Sequence, residues 1–150
     1  MGDLRKRLGA GVVAGLVGLV LSGAGIAQAE TSNLLVRVFV EDQEMHVFHG
    51  GRLIHQWPVS TARAGKITPR GQWTAQWLSR NHRSSRYNNA PMPYSIFYDG
   101  HYAVHGTDQI GLLGQPASAG CVRLHPDNAR ILFEMARTEG LQNVQIVVME

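Results

Sequence analysis

The sequence predicts a mainly β domain with one helix near the C-terminus, and three observations support this prediction. Short runs rich in β-branched and aromatic residues recur between residues 34 and 105, as is typical of strands. The turn pairs Gly50-Gly51 and Asp99-Gly100 follow two of these runs. After Pro126, apolar residues recur at helical spacing and predict one helix.

The predicted strands are short and bounded by turn residues. They cover residues 34–40, 45–49, 52–60, 72–78, 94–98, 101–105 and 143–149. Gly50-Gly51 and Asp99-Gly100 are expected to close two hairpins, and Thr68-Pro69-Arg70-Gly71 is expected to bend the chain.

Residues 79–93 are predicted to form a long loop, because they are polar and end in Pro91-Met92-Pro93. Long loops inside compact domains are often functional, although a solvated loop fits this stretch equally well. Its arginines, Arg80, Arg83 and Arg86, are expected either to meet carboxylates of a ligand or to keep the loop soluble.

The predicted helix begins near Pro126, which suits a first helical turn, and Asp127 is favourable beside the helix N-terminus. Gly140 is expected to end it. The residues at helical spacing are Ile131, Leu132, Met135 and Ala136.

Residues 1–29 are predicted to be a secretory signal peptide. A basic opening, Met1–Arg7, precedes the uncharged apolar run Leu8–Ile26 and the cleavage-type sequence Ala27-Gln28-Ala29. A retained membrane anchor is the alternative, but six of the 19 apolar-run residues are glycine. The expected mature domain is therefore residues 30–150, exported to the periplasm or cell envelope, with membrane contact only through the signal segment.

Charge argues against a nucleic-acid partner. The chain has 14 basic and 11 acidic residues, a net charge of +3. The signal segment removes three basic residues and Asp3, which leaves 11 against 10, a net charge of +1. Most of the basic excess therefore belongs to the signal segment, and nucleic-acid binding loses its main support.

The single cysteine, Cys121, needs an explanation in an exported protein. It can form no internal disulfide, whereas exported proteins usually carry cysteines in pairs. A buried, inert thiol is one interpretation. A thiol nucleophile is the other, and it requires a nearby base, room for the substrate and donors for an oxyanion.

The surroundings of Cys121 fit a nucleophile. Gly120 provides room, and the Gly-rich connection 106–120 can fold His105 back onto Cys121. The imidazole would then either accept the thiol proton or hold a thiolate as an ion pair. Backbone N–H groups around Gly120 and Cys121 could form the oxyanion hole. If the segment is extended, Arg123 and Cys121 face the same side.

Two motifs together resemble the L,D-transpeptidase family with its YkuD-type catalytic domain. They are His105-Gly106-Thr107 and Ser118-Ala119-Gly120-Cys121-Val122-Arg123-Leu124, with 16 residues from His105 to Cys121. Weaker similarities are found in Pro58–Thr61, Thr68–Gly71 and Met92-Pro93-Tyr94. The resemblance covers essentially all of residues 30–150.

This resemblance implies a β-sandwich and an acyl-transfer enzyme acting on peptidoglycan stem peptides. Cys121 would attack the carbonyl between the diamino acid at position three and D-alanine at position four, with His105 as general base. The resemblance assigns supporting roles to Gly106, Thr107, Ser118, Gly120 and Arg123. It implies no metal or organic cofactor.

The acceptor of the acyl group stays open at this point. It could be another stem peptide, a lysine of a wall-anchored protein, a D-amino acid or water, the last giving a carboxypeptidase. Many family members have His where this chain has Ala119, which puts rate and acceptor preference in doubt.

Two other functions remain as alternatives. A non-catalytic wall-binding module would keep the fold without activity, although the intact motif argues against it. A zinc hydrolase would use His101, His105 and Cys121 as three ligands. His125 is interpreted as a helix-entry residue, and Trp57, Trp73 and Trp77 as packing residues rather than sugar-stacking ones.

Overall fold

The computed structural model describes residues 33–150, and the predicted signal segment lies outside them. Within this range the chain forms nine strands and one α-helix. They are β1 (Leu34–Phe39), β2 (Glu44–His49), β3 (Arg52–Pro58), β4 (Gly71–Thr74), β5 (Trp77–Arg83), β6 (Pro91–Asp99), β7 (Tyr102–Gly106), β8 (Val122–Leu124), α1 (Pro126–Glu139) and β9 (Val144–Met149).

The strands form two sheets. One has the order β3-β2-β1-β9-β4 and the other β5-β6-β7-β8. Two pairs are parallel, β1 with β9 and β7 with β8, and the other neighbours are antiparallel. Both parallel pairs join segments that are far apart in the sequence.

Alternating apolar residues build the core between the sheets. In β1, Leu34, Val36 and Val38 are fully buried, while the residues between them are partly or fully exposed. This period of two is what a strand with one covered face requires. From the second sheet, Val104 and Val122 join the same hydrophobic cluster. The predicted mainly β sandwich is therefore confirmed.

The helix prediction is confirmed at both ends. Pro126 opens α1, and His125 is its N-cap residue, whose Nδ1 accepts a hydrogen bond from the Asp127 N–H at 3.2 Å. Gly140, with φ of 85°, ends the helix. The buried face is formed by Ala129, Leu132, Phe133 and Ala136. No helix in residues 33–150 is long and apolar enough to cross a membrane.

The predicted long loop at 79–93 is wrong at both ends, since only residues 84–90 lie outside strands. Residues 77–83 and 91–99 are strands β5 and β6 of one hairpin, joined by a short turn in which Ser84 N–H donates to Ala90 O at 2.9 Å. Strand β5 lies at the edge of its sheet. Its polar side chains can therefore face water, and no apolar alternation reveals the strand.

The single strand predicted at 72–78 is divided between two strands, β4 and β5. The chain crosses from one sheet to the other between them. Ala75 N–H still donates to Val144 O in the first sheet at 3.0 Å. The next residue, Gln76, donates to Phe97 O in the second sheet at 2.8 Å. Such a crossing is a tertiary event and changes nothing in the local residue pattern.

Candidate active site

The parallel pairing of β7 with β8 brings the two predicted motifs together. His105 stands opposite Arg123 in the register, and Cys121 directly precedes β8. His105, Cys121 and Arg123 line one cleft of about 440 Å³. Thr107 and Ser118 line it as well. The cleft opens on the outer face of the second sheet, since Val104 and Val122 occupy the core face.

His105 is buried and held in one tautomer. It is 5% exposed, and its Nδ1 lies 2.7 Å from Gly106 O. A carbonyl oxygen only accepts, so Nδ1 must carry the hydrogen, which leaves a lone pair on Nε2. Burial lowers the pKa of His105 to about 4 against the opposing effect of the Gly106 hydrogen bond. The imidazole is therefore neutral near pH 7 and can accept a proton.

Cys121 rests against an apolar cluster. It is partly buried and packs on Met92, Phe97 and Ala103. Its Sγ–H donates to His101 O at 3.7 Å. Burial raises the pKa of the thiol, and the Ala103 backbone and Arg123 oppose this effect.

A neutral thiol and a neutral imidazole in the same cleft follow from these two environments. The sequence left open whether His105 accepts the thiol proton or forms an ion pair with a resting thiolate. The lowered pKa of His105 and the raised pKa of Cys121 both disfavour the ion pair. The two environments therefore favour the neutral forms of both groups.

Gly120 occupies a position that no other residue fits. Its φ is 137°, and a Cβ there would lie 2.7 Å from Tyr102 Cε1 and 2.8 Å from Ile67 O. Its carbonyl accepts a hydrogen bond from Thr68 Oγ1 at 2.8 Å. The glycine therefore lets Tyr102 and Ile67 pack closely against the chain just before Cys121, and its expected role of leaving room for a substrate stays a prediction.

One predicted oxyanion donor is already occupied. Gly120 N–H donates to Ser118 Oγ at 3.0 Å, so it is not available to an oxyanion. Ser118 is 1% exposed and its own N–H donates to Thr61 O at 2.8 Å. The serine therefore shapes the loop before the cysteine, and of the two backbone groups expected to form an oxyanion hole, that of Gly120 is engaged within this loop.

Arg123 faces the same side as Cys121, as an extended segment requires. Both line the cleft, while Val122 between them is buried. Arg123 Nη1 donates to Gln109 Oε1 at 2.8 Å. Its backbone exchanges two hydrogen bonds with Ser60, at 2.9 and 3.0 Å. The guanidinium is thus held beside the thiol by a neutral partner.

The residues after His105 connect the site to the helix. A Cβ on Gly106 would lie 3.2 Å from Pro126 Cα and 3.1 Å from Pro93 Cγ, so this glycine lets α1 approach the end of β7. Thr107 N–H donates to Leu124 O at 2.9 Å, and its Oγ1 accepts from Gln109 N–H at 3.1 Å. Thr107 therefore extends the strand pairing.

The three proposed zinc ligands do not form a metal site. Within residues 33–150, no three His, Cys, Asp or Glu side chains are arranged to hold a metal ion. The ring of His101 lies against Tyr102, with 4.3 Å between centroids. His125 is the N-cap of α1, which agrees with its interpretation as a helix-entry residue.

Several cleft residues have no recognisable pattern in the sequence. Arg63 follows the Pro58–Thr61 segment, and His82 lies on β5, which was predicted as loop. Of the three arginines assigned to that loop, Arg86 lines the cleft, whereas Arg80 pairs with Glu134 on α1 at 2.7 Å. Ala119 also lines the cleft, without a hydrogen-bonding side chain.

The three tryptophans lie against neighbouring rings. Trp73 lies 5.2 Å from Tyr98, and Trp57 stacks on His55 at 4.5 Å between ring centroids. Trp77 stacks on Phe97 at 3.7 Å but stays 42% exposed. Packing thus accounts for Trp57 and Trp73, while Trp77 covers the ring beside Cys121.

Comparison with known proteins finds one family. Residues 34–147 match the family model for the L,D-transpeptidase catalytic domain, YkuD. A curated relative, the YkuD protein of Bacillus licheniformis, carries a provisional L,D-transpeptidase name. It is 24% identical over 105 residues, which cover 67% of this chain and 59% of the relative.

Solved structures share the fold. An L,D-transpeptidase from Mycobacterium smegmatis superposes with a TM-score of 0.70 at 22% identity, covering 79% of this chain and 59% of that one. One from Stackebrandtia nassauensis gives 0.69 at 26% identity, covering 79% and 56%. This chain thus spans less than two thirds of the length of these relatives.

Proposed function

The chain belongs to the L,D-transpeptidase catalytic-domain family, and we propose that it is a cysteine-dependent peptidoglycan L,D-transpeptidase of the cell envelope. One observation carries the proposal. A neutral, buried His105, with its free Nε2, lines the same cleft as the chain's single cysteine. General bases need this protonation state near neutral pH.

Acylation is the first half-reaction. The thiol of Cys121 turns from His101 O toward His105, and Nε2 takes its proton as Sγ attacks the carbonyl carbon of residue three of the stem. The C–N bond to D-alanine then breaks. The proton passes from His105 to the leaving nitrogen, and D-alanine departs with a free amine. A thioester of Cys121 remains.

The backbone N–H of Cys121 is the proposed oxyanion donor, because Gly120 N–H is bound to Ser118 Oγ. Gly106 orients the imidazole through its carbonyl. Ser118 and Gly120 hold the loop before the nucleophile, and Thr107 fixes the start of the next connection. Arg123 would contact the substrate.

An amine acceptor completes the reaction. It attacks the thioester carbonyl and gives a proton to His105, and the thiol is restored as the new amide forms. A stem peptide as acceptor gives a cross-link between two position-three residues, which is the outcome we favour. Attachment to a wall-anchored protein, exchange with a D-amino acid and hydrolysis use the same thioester.

Export is part of the proposal. A peptidoglycan substrate lies outside the cytoplasmic membrane, and residues 1–29 have the composition of a secretory signal. We propose cleavage after Ala29, leaving residues 30–150 as the enzyme.

Mass spectrometry of the chain from Glu30 with a disaccharide-tetrapeptide tests the function. This chain holds every described element. The expected result is an acyl adduct on Cys121 with release of D-alanine, and neither with Cys121→Ala, whose fold should be unchanged by circular dichroism. Turnover by Cys121→Ala would disprove the nucleophile. The small products identify the acceptor: a dimer, a tripeptide or an exchanged terminal residue.

A further inference from the structure

We propose that Arg63 and Arg123 form a carboxylate-binding subsite beside Cys121, which recognises the α-carboxylate of the amino acid that leaves or enters at the scissile bond. The inference rests on the proposed transpeptidase function. It adds the chemical group by which the first half-reaction selects its donor.

Backbone pairing holds the two arginines on either side of the nucleophile loop. Arg63 N–H donates to Ser118 O at 2.9 Å, and Ser60 exchanges hydrogen bonds with Arg123 at 2.9 and 3.0 Å. The segment 60–63 therefore runs along the segment 118–123, which contains Cys121. Both arginines and Cys121 line the same cleft.

The charge of Arg63 acts on that of Arg123, and neither arginine has a carboxylate partner in an ion pair among the residues that the structure describes. Burial lowers the pKa of Arg123, and the nearby Arg63 lowers it further, while Cys121 and Asp108 raise it. An arginine nevertheless stays charged. The hydrogen-bond partner of Arg123 is the neutral amide oxygen of Gln109.

Within residues 33–150, no Asp or Glu oxygen lies within 4.0 Å of either guanidinium, whereas Arg70, Arg80 and Arg137 each have a glutamate partner. Asp108 lines the same cleft but makes no ion pair with either arginine, so the exposed Arg63 and the half-buried Arg123 both keep donors for an anion that enters the cleft. A carboxylate suits their planar donors.

The spacing fits the terminal residue of a tetrapeptide. Along an extended segment, Cys121 and Arg123 are separated by about 6.7 Å on one face. The carboxylate of D-alanine lies about 3.5 Å beyond the carbonyl that is attacked. A charge-assisted hydrogen bond adds about 2.8 Å. The two lengths are of the same size, and the long side chain of Arg123 can adjust its reach, so its guanidinium can contact the carboxylate while Sγ reaches the carbonyl.

The same subsite serves only some acceptors. Exchange with a D-amino acid is the reverse of acylation and brings an amine with a carboxylate on the same carbon. Water, or a lysine side-chain amine, brings no such carboxylate. Arg63 should therefore matter for acylation and exchange but not for hydrolysis of the thioester.

The test compares two donors, a tetrapeptide with a free C-terminal carboxylate and the same peptide with a C-terminal amide. Acylation of the chain from Glu30 is followed by mass spectrometry in Arg63→Ala, Arg63→Lys and Arg52→Ala. Arg52 is an exposed arginine on β3, outside the cleft, and is the charge-matched control.

With the free-carboxylate donor, Arg63→Ala should acylate about tenfold more slowly than the wild type. With the amide donor its rate should change less than twofold. Arg63→Lys should retain part of the preference for the carboxylate, and Arg52→Ala all of it. Once the wild type and Arg63→Ala are loaded as the thioester, the variant should transfer more slowly to D-alanine and hydrolyse at the wild-type rate.

The outcomes separate the two claims. Equal acylation of both donors by the wild type, or an equal loss on both donors in Arg63→Ala, would overturn the subsite while leaving the transpeptidase function. Absence of any Cys121 adduct with either donor would overturn the function and the subsite together.

Discussion

The two parallel strand pairs of this protein have the same geometry and different uses. In β1–β9, Val36 stands opposite Ile146, and both are fully buried. In β7–β8, Val104 stands opposite Val122 in the core, and the next step of the register places His105 opposite Arg123 in the cleft. The site is therefore the outer face of a strand pair whose inner face is ordinary core.

What differs is the surroundings of that outer face. The residues of β1 that point away from the core include the exposed Arg37, which lies over Phe48 with 5.1 Å from Cζ to the ring centroid. The outer face of β7 is instead enclosed by the β5–β6 hairpin and the loop before β8, so His105 is 5% exposed. Pointing away from the core does not by itself change the pKa of a side chain, whereas enclosure by neighbouring segments does.

Replacing His105, the proposed base on β7, should have the largest effect. His105→Ala is expected to slow acylation by about two or more orders of magnitude. His55→Ala, on β3 of the other sheet, is the control and should acylate at the wild-type rate. Both are measured by single-turnover mass spectrometry. An unchanged rate in His105→Ala would remove this residue from the mechanism.

Acid should lower the free energy of unfolding through His105, which lies in the β7–β8 pair. Its folded pKa of about 4 lies below the ordinary 6.5, so folding is favoured while the imidazole is neutral. This contribution, about 3 kcal/mol, is complete above pH 6.5 and is lost as the pH falls toward 4. β1 and β9 contain no histidine.

Urea unfolding of wild type and His105→Gln at several pH values measures this linkage. The free energy of unfolding of the wild type should fall more than that of the variant between pH 6.5 and 4. Parallel curves would mean that His105 titrates normally in the folded protein.

Equal truncations in the two strand pairs should sharpen the comparison. Val36→Ala and Val104→Ala each remove two buried methyl groups and should lower the free energy of unfolding by about 2 kcal/mol. Only Val104 neighbours His105, so only its variant should acylate more slowly per folded molecule. Urea unfolding and active-site titration measure the two effects, and equal activities would show that the core does not position the base.

The smallest expected effect is that of replacing Tyr98. It is fully buried on β6, beside β7, and its hydroxyl has no hydrogen-bond partner within residues 33–150. Tyr98→Phe should raise the free energy of unfolding by about 1 kcal/mol, because an unpaired buried hydroxyl is destabilising. A loss of stability in thermal unfolding would mean that the hydroxyl has a partner, such as a buried water.

Much of the fold was predictable because its patterns are local. Alternation in β1 and β9, and Pro126 and Gly140 at the ends of α1, are visible in the sequence and confirmed. β5 was missed because an edge strand can be polar. The three-residue β8 was not predicted as a strand, since it depends on pairing with β7 and Ser60.

The sequence by itself determined the residue types of the candidate site. The sequence contains a histidine, a glycine before a lone cysteine and an arginine two residues later. These residues supported the resemblance to the family. The tertiary structure alone decided the burial that keeps His105 neutral and the approach of Arg63 to Arg123. Proton affinity and hydrogen-bond availability depend on burial and on neighbours distant in the chain, which the local pattern of residues does not encode.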